Sequence, residues 1–186
     1  ISESEYIIAN AAEASAGGVP NYNQHDIKGK NDCGPNAAAM LLGYWDANGY
    51  ACLIPGSPYY TTSEKVTNAY TEDGETKYFS EAPDRIRQLV NELMEETHYT
   101  PTFGTPPSLL DPIGDEIVDI AAARGAGHGW TYNEDELTDM DNIKNHINND
   151  RPMLMCIRSA MGGGDYTMYN GNTPTSQTGD VSWHWM

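Results

Sequence analysis

Residues 35–48 constrain the fold of this chain more than any other stretch. Pro35 leads into Asn36-Ala37-Ala38-Ala39-Met40-Leu41-Leu42-Gly43-Tyr44-Trp45, and the first charge after Pro35 is Asp46. Ala37, Leu41, Tyr44 and Trp45 follow i, i+4, i+7, i+8, while Ala38 and Leu42 widen the apolar arc. A helix with so little polar circumference has to be enclosed by the rest of the chain. Pro35 suits its first turn, where a missing N–H costs nothing, and Gly49 stops it. The 186 residues suit one domain with enough chain to do the enclosing.

Further periodic segments supply the packing partners. Ile86, Leu89, Val90, Leu93 and Met94 make residues 83–97 an amphipathic helix, opened by Pro83. Ile113, Ile117 and Ile120 stripe a helix over 112–124, with Asp111 as cap and Pro112 at its first position. Ile143 and Ile147 point to a helix over 140–149. Short helices are expected over 3–15 and 63–70. A polar hairpin or turn is expected around Asp73-Gly74. Trp130 and Tyr132 suggest a short extended segment. Residues 152–159 read as a strand buried on both faces, 160–180 as a polar Gly-rich loop, and 181–186 as the start of another strand. Val19 to Asp32 is loop-like, and Thr100 to Pro107 is a Pro-rich linker. Helices first and strands late make an α+β chain: a helical lobe, then an antiparallel sheet lobe.

The sequence carries 27 acidic and 10 basic residues, a formal charge of 10 − 27 = −17. That balance argues against nucleic acid or an anionic membrane surface as partner. It suits a secreted or cell-surface protein, or a cationic substrate. No stretch reaches the apolar length of a membrane helix. Three cysteines are an odd count and give no disulfide framework. Cys52 and Cys156 could pair, but Cys156 lies in the apolar run Met153-Leu154-Met155-Cys156-Ile157 and reads as a buried free thiol.

Cys33 stands immediately before Gly34-Pro35, at the start of the enclosed helix. Orphan N–H groups and the helix dipole favour an anion there, and thiolate is the nucleophilic form of cysteine. A nucleophile also needs a base and donors for an oxyanion. Gln24, in Asn21-Tyr22-Asn23-Gln24, lies nine residues upstream on a loop. Its amide and the Cys33 N–H could share a tetrahedral intermediate. His184, in Ser182-Trp183-His184-Trp185, opens the late strand and could face the thiol between the lobes.

This pattern resembles the papain-like cysteine peptidases, most closely their C39-like branch. The matching pieces are Val19 to Gln24, Asp32 to Met40, and Ile143 to Ile157, the last with the basic-Pro pair Arg151-Pro152 ahead of an apolar strand. The resemblance implies a papain-like fold over 19–186, with 1–18 as a lead-in or pro-segment remnant. It implies a secreted or surface-attached peptidase of bacterial type acting on peptide or protein substrates. Cys33 would be the nucleophile, His184 the general base, and Gln24 an oxyanion-hole donor. The family's orienting Asp or Asn follows the His by a strand or more. It is therefore expected beyond Met186, together with the closing strands, in a remaining C-terminal part of the protein. Asp165 and Asp180 are weaker stand-ins.

Other residues weigh less. His128, in Gly127-His128-Gly129-Trp130, is a rival base held on a flexible loop. His25, His98 and His146 read as surface residues. Asp139-Met140-Asp141-Asn142 lacks the Gly and terminal Glu of a calcium loop and reads as helix capping. No Cys/His spacing suggests zinc, and no cofactor is implied. Gly17-Gly18 reads as a flexible linker, although C39-like enzymes that mature bacteriocins cut after double glycine. Trp183 and Trp185 alternate with His184 and face the other way on the strand. An acyltransferase using the same thioester, or an inert binding module on the same scaffold, are the alternatives to a peptidase.

Overall fold

In the computed structural model, residues 18–22, 32–96, 110–132, 140–149, 151–154, 156–157, 165–170, 173–178 and 184–185 are described, those after Leu154 by their backbone pairing. The enclosed helix α1 spans Cys33–Ala47, and ten of its 15 residues are buried. Two amphipathic helices cover it. Helix α2, Asp84–Glu96, contributes Ile86, Leu89, Val90 and Leu93, spaced i, i+3, i+4, i+7 and all buried. Helix α3, Leu110–Ala123, contributes Ile113, Ile117, Ile120 and Ala121. α1 packs against both, and they pack against each other. The stripes read from the sequence are therefore the faces that form the core. Each fully buried Leu or Ile there contributes about 1.5–3 kcal/mol. α3 begins at Leu110, two residues ahead of the expected start, so Pro112 is its third residue and not its first. Proline is still tolerated there because the N–H groups of a first turn have no acceptor inside the helix.

The chain after α1 folds back into the same core. Leu53 and Ile54 are buried, and the Ile54 N–H donates to Asp46 Oδ1 at 2.9 Å. Burial pushes the Asp46 carboxyl above the usual carboxylate range, against the pull of the Ile54 and Leu53 amides. Arg124, just past α3, donates to the Leu53 carbonyl and pairs with Glu92 of α2. One side chain thus ties the loop and two helices together.

The expected helix over 63–70 is not present. A single 3-10 turn, Thr62–Glu64, gives way to strand β1, Val66–Glu72, which pairs antiparallel with β2, Glu75–Glu81. Val66, Thr67 and Thr71 are β-branched and resist helix. Asp73 and Gly74 both have positive φ, 54° and 81°. That is the two-residue turn whose twist matches a hairpin, and it decides both flanks. The turn at Asp73-Gly74 stands as expected, but the hairpin it closes separates α1 from α2, so strands do not come only late.

After helix α4, Met140–Asn148, two expectations change, and one changes before it. The described part of strand β3 is Cys156–Ile157, and Pro152, Met153 and Leu154 are half-buried without strand pairing. Proline cannot donate to a ladder, which delays the strand past it. The region expected as a loop instead contains β4, Asp165–Asn170, paired antiparallel with β5, Thr173–Thr178. Tyr, Thr and Met around Asn170-Gly171-Asn172 favour a hairpin over the Gly-rich loop suggested by composition. Trp130 and Tyr132 lie on no strand; the Tyr132 ring instead covers Gly114, where a Cβ would come within 2.7 Å of it. Strand β6, His184–Trp185, pairs antiparallel with β3. The described strands form three antiparallel pairs, and the fold is mixed α+β. No helix among the described residues is long and apolar enough to cross a membrane. The short helix expected over 3–15 lies outside the described residues.

Candidate active site

Cys33 is the first residue of α1, as a half-buried free thiol packed at the edge of the core. Gly34 and Pro35 behind it are buried. The first backbone bond of the helix runs from the Asn36 N–H to the Asp32 carbonyl at 2.9 Å. The Cys33 and Gly34 N–H groups precede it and have no acceptor within the helix, and Pro35 has no N–H at all. Unpaired backbone donors therefore cluster beside the sulfur, an arrangement that suits an anion. Asp32, the N-cap residue, is fully buried.

β6, the strand that carries His184, packs against α1, with Cα atoms of the two elements within 8 Å. Its register sets His184 opposite Ile157 and Trp185 opposite Cys156. The helix bearing the thiol and the strand bearing the proposed base are neighbours, although 151 residues separate Cys33 from His184 in sequence.

Gln24 lies outside the described residues; the segment just before it, Gly18–Tyr22, is described and is bound along α1. The Asn36 side-chain amide donates to the Tyr22 carbonyl at 2.7 Å. The Tyr22 hydroxyl donates to the Pro58 carbonyl at 2.7 Å, and its ring stacks on Tyr60. Burial pushes the Tyr22 phenol far above its usual range. Pro20 and Tyr22 cross α1 at Gly43, where a Cβ would approach the Pro20 ring to 2.6 Å. Only glycine admits that crossing. The Tyr59 hydroxyl donates to the Gly18 carbonyl at 2.6 Å, and Gly18 is buried. The expected flexible linker at Gly17-Gly18 is thus held at its second glycine.

The rival base sits at the other end of α1. Trp130, two residues past His128, packs edge-on against Trp45 and Tyr50 with ring centres 6.1 and 4.9 Å apart. Trp45 is about 18 Å along the helix axis from Cys33, at 1.5 Å per residue. His146 is half-buried in the last turn of α4, more enclosed than a surface reading implies. Asp165 opens β4 opposite Thr178, in a separate hairpin from His184. Asp180, His25 and His98 lie outside the described residues. Cys52 is exposed and free, so the pairing with Cys156 is not made. Among the described residues no cluster of His, Cys, Asp and Glu could hold a metal ion.

Sequence reasoning passed over Asn36. Its signal was there: an amide is a poor occupant of a helix interior unless its side chain has a partner, and its neighbours are apolar. Comparison with protein-family models, with curated proteins and with solved structures finds no match.

Proposed function

We propose that the chain is a cysteine peptidase of papain-like type, with Cys33 as nucleophile, His184 as general base and Gln24 as an oxyanion donor. One observation carries the reading. A free, half-buried thiol opens an enclosed helix, and the strand of His184 packs against that helix. His184 takes the proton of the Cys33 thiol; the resulting thiolate attacks a peptide carbonyl carbon, and a C–S bond forms as the carbonyl π pair moves onto oxygen. The Cys33 N–H and the Gln24 amide stabilise that oxygen. On collapse the C–N bond breaks, and the His184 imidazolium protonates the leaving amine. Neutral His184 then takes a proton from water, which attacks the thioester and frees Cys33. The acidic chain, at −17, suits substrates carrying basic residues and a secreted or surface setting.

The test is turnover of a dye-labelled basic protein, such as histone, by wild type and by Cys33→Ala. Replacing a covalent nucleophile is expected to lower the rate by about 10³-fold or more. Equal rates in the two proteins would sink the peptidase reading in favour of an inert scaffold. Transfer to an added amine in preference to water would make the protein an acyltransferase.

A further inference from the structure

We infer that the free edge of β1 is an interface for a second copy of this chain, two β1 strands pairing antiparallel about Ala69 to give a four-stranded sheet in the order β2-β1-β1-β2. The inference does not depend on the peptidase reading above.

β1 and β2 pair without a skipped residue from Val66 opposite Glu81 to Glu72 opposite Glu75. Across a two-residue turn the pair beside the turn is hydrogen-bonded, and bonded and non-bonded pairs alternate from there. Val66, Asn68, Tyr70 and Glu72 therefore carry the ladder, and the N–H and C=O groups of Thr67, Ala69 and Thr71 point away from β2. Among the described residues no third strand joins the pair, and no backbone bond outside the ladder reaches these three. All three are exposed. Such a row of open backbone groups is a template for another strand, which proteins commonly guard with a charge, a proline or a bulge. Between Val66 and Thr71 the strand has none of these.

Register and charge select the occupant. A two-fold pairing that uses every open group of Thr67, Ala69 and Thr71 is centred on Ala69, with Thr67 opposite Thr71 of the second copy. Glu72 then falls opposite Val66 of the second copy, so no like charges meet, and the two Thr–Thr pairs are a favourable cross-strand combination. The β2 edge suits a second copy less well. The same pairing about Tyr78 sets Glu75 against Glu81 at both ends, and Glu81 is buried and bound to Arg87. Pairing through β1 also gives a ribbon that is marginal alone the strand number that an independent sheet needs. It continues one exposed, uncharged face, that of Thr67, Ala69, Thr71, Thr76, Tyr78 and Ser80, across both copies. One strand edge is a small interface, so the association is weak. Each copy carries a formal charge of −17 that opposes it, so added salt strengthens the dimer. A cationic peptide on the same edge would show the reverse.

The experiment is sedimentation velocity of the full chain from about 10 μM to about 500 μM, the range in which weak interfaces associate. Wild type is expected to pass from monomer to dimer, with an association constant that rises about threefold or more between about 0.05 M and 0.5 M sodium chloride. Ala69→Glu sets like charges opposite each other at the two-fold and is expected to weaken association about fivefold or more. Ala69→Pro removes the central N–H and is expected to abolish it. Thr76→Glu adds the same charge on the far strand and is expected to stay within about twofold of wild type. Thr67→Lys combined with Thr71→Glu sets opposite charges across both Thr–Thr positions and is expected to match or exceed wild type. Circular dichroism checks that each variant keeps the wild-type fold, and the charge variants decide the matter if Ala69→Pro does not. A wild-type chain that stays monomeric at the highest concentration in high salt overturns the inference. So does a dimer that Ala69→Glu leaves unchanged, a dimer that salt weakens, or growth past the dimer, which a contact between β1 of one copy and β2 of the next would give.

Discussion

The three-helix core and the β1–β2 hairpin inserted between its first two helices are built on opposite terms. In the core, side chains from α1, α2 and α3 are driven to zero exposure, and a helix with almost no polar face is wrapped by two amphipathic ones. In the hairpin, most described side chains are exposed, and Tyr78 keeps 73 % of its surface in water. The hairpin is held by its ladder, its two-residue turn and the ion pairs at its base. A lone two-stranded ribbon is marginal in water, so those ends matter more than its faces. Helices in this molecule are specified by what they bury, whereas the hairpin is specified by its turn.

The contrast can be tested by mutation. Leu42→Ala, at a position with no exposure, is expected to cost about 3 kcal/mol in urea unfolding, from lost burial plus the cavity left among α1, α2 and α3. A cost below about 1 kcal/mol would mean the core is not the close-packed unit described. Asp46→Ala removes the acceptor of the buried Ile54 N–H and is expected to cost about 1–3 kcal/mol.

Titration separates the two regions by sign. Burial raises the Asp46 carboxyl, so the folded state disfavours its ionised form. Its contribution to stability is fullest below the ordinary value of 3.8 and is lost as pH rises through the raised one. Asp46→Asn keeps an oxygen for the Ile54 N–H and removes this slope. Glu64, before the hairpin, is held below its usual range by the Thr61 amide and by Arg85. Its support is present above the ordinary value of 4.5 and is lost as pH falls through the lowered one. Stability curves from pH 3 to 7 for Asp46→Asn and Glu64→Gln should therefore depart from wild type in opposite directions. Departures of the same sign would break the comparison. The smallest effect is expected at Tyr78→Ala, within about 0.5 kcal/mol, because most of that residue is already in water.

The same difference explains which elements are legible in the amino-acid sequence. The 3.6-residue stripes on α2 and α3 specify a face, and each of those residues is on the face that packs. The segment after Thr62 has no stripe, and strand is marked there only by its β-branched residues and by the Asp73-Gly74 turn that commits both flanks. In 165–178, abundant Gly and Asn hid a hairpin, because turn residues mark loops and hairpin ends alike. At the site, Cys33 was legible because Gly34-Pro35 announces a helix start, whichever partner lies across from it. The neighbouring of β6 and α1 was only an expectation, since no local pattern encodes contact across 151 residues. Asn36 escaped notice because its partner is a backbone carbonyl, which leaves no mark in a sequence.

The ends of the hairpin meet one partner. Arg85 of α2 donates to Ser57, Tyr59 and Glu64 ahead of β1, and Arg87 pairs with Glu81 at the end of β2, at 2.8 Å. Entry and exit are stapled to the first turn of the same helix, so the ribbon is a detachable module on a closed base. Replacing residues 67–80 by a short glycine-serine bridge would leave those staples and the helices beneath them in place. The fold thus offers a place where a surface ribbon can be exchanged without renegotiating the interior.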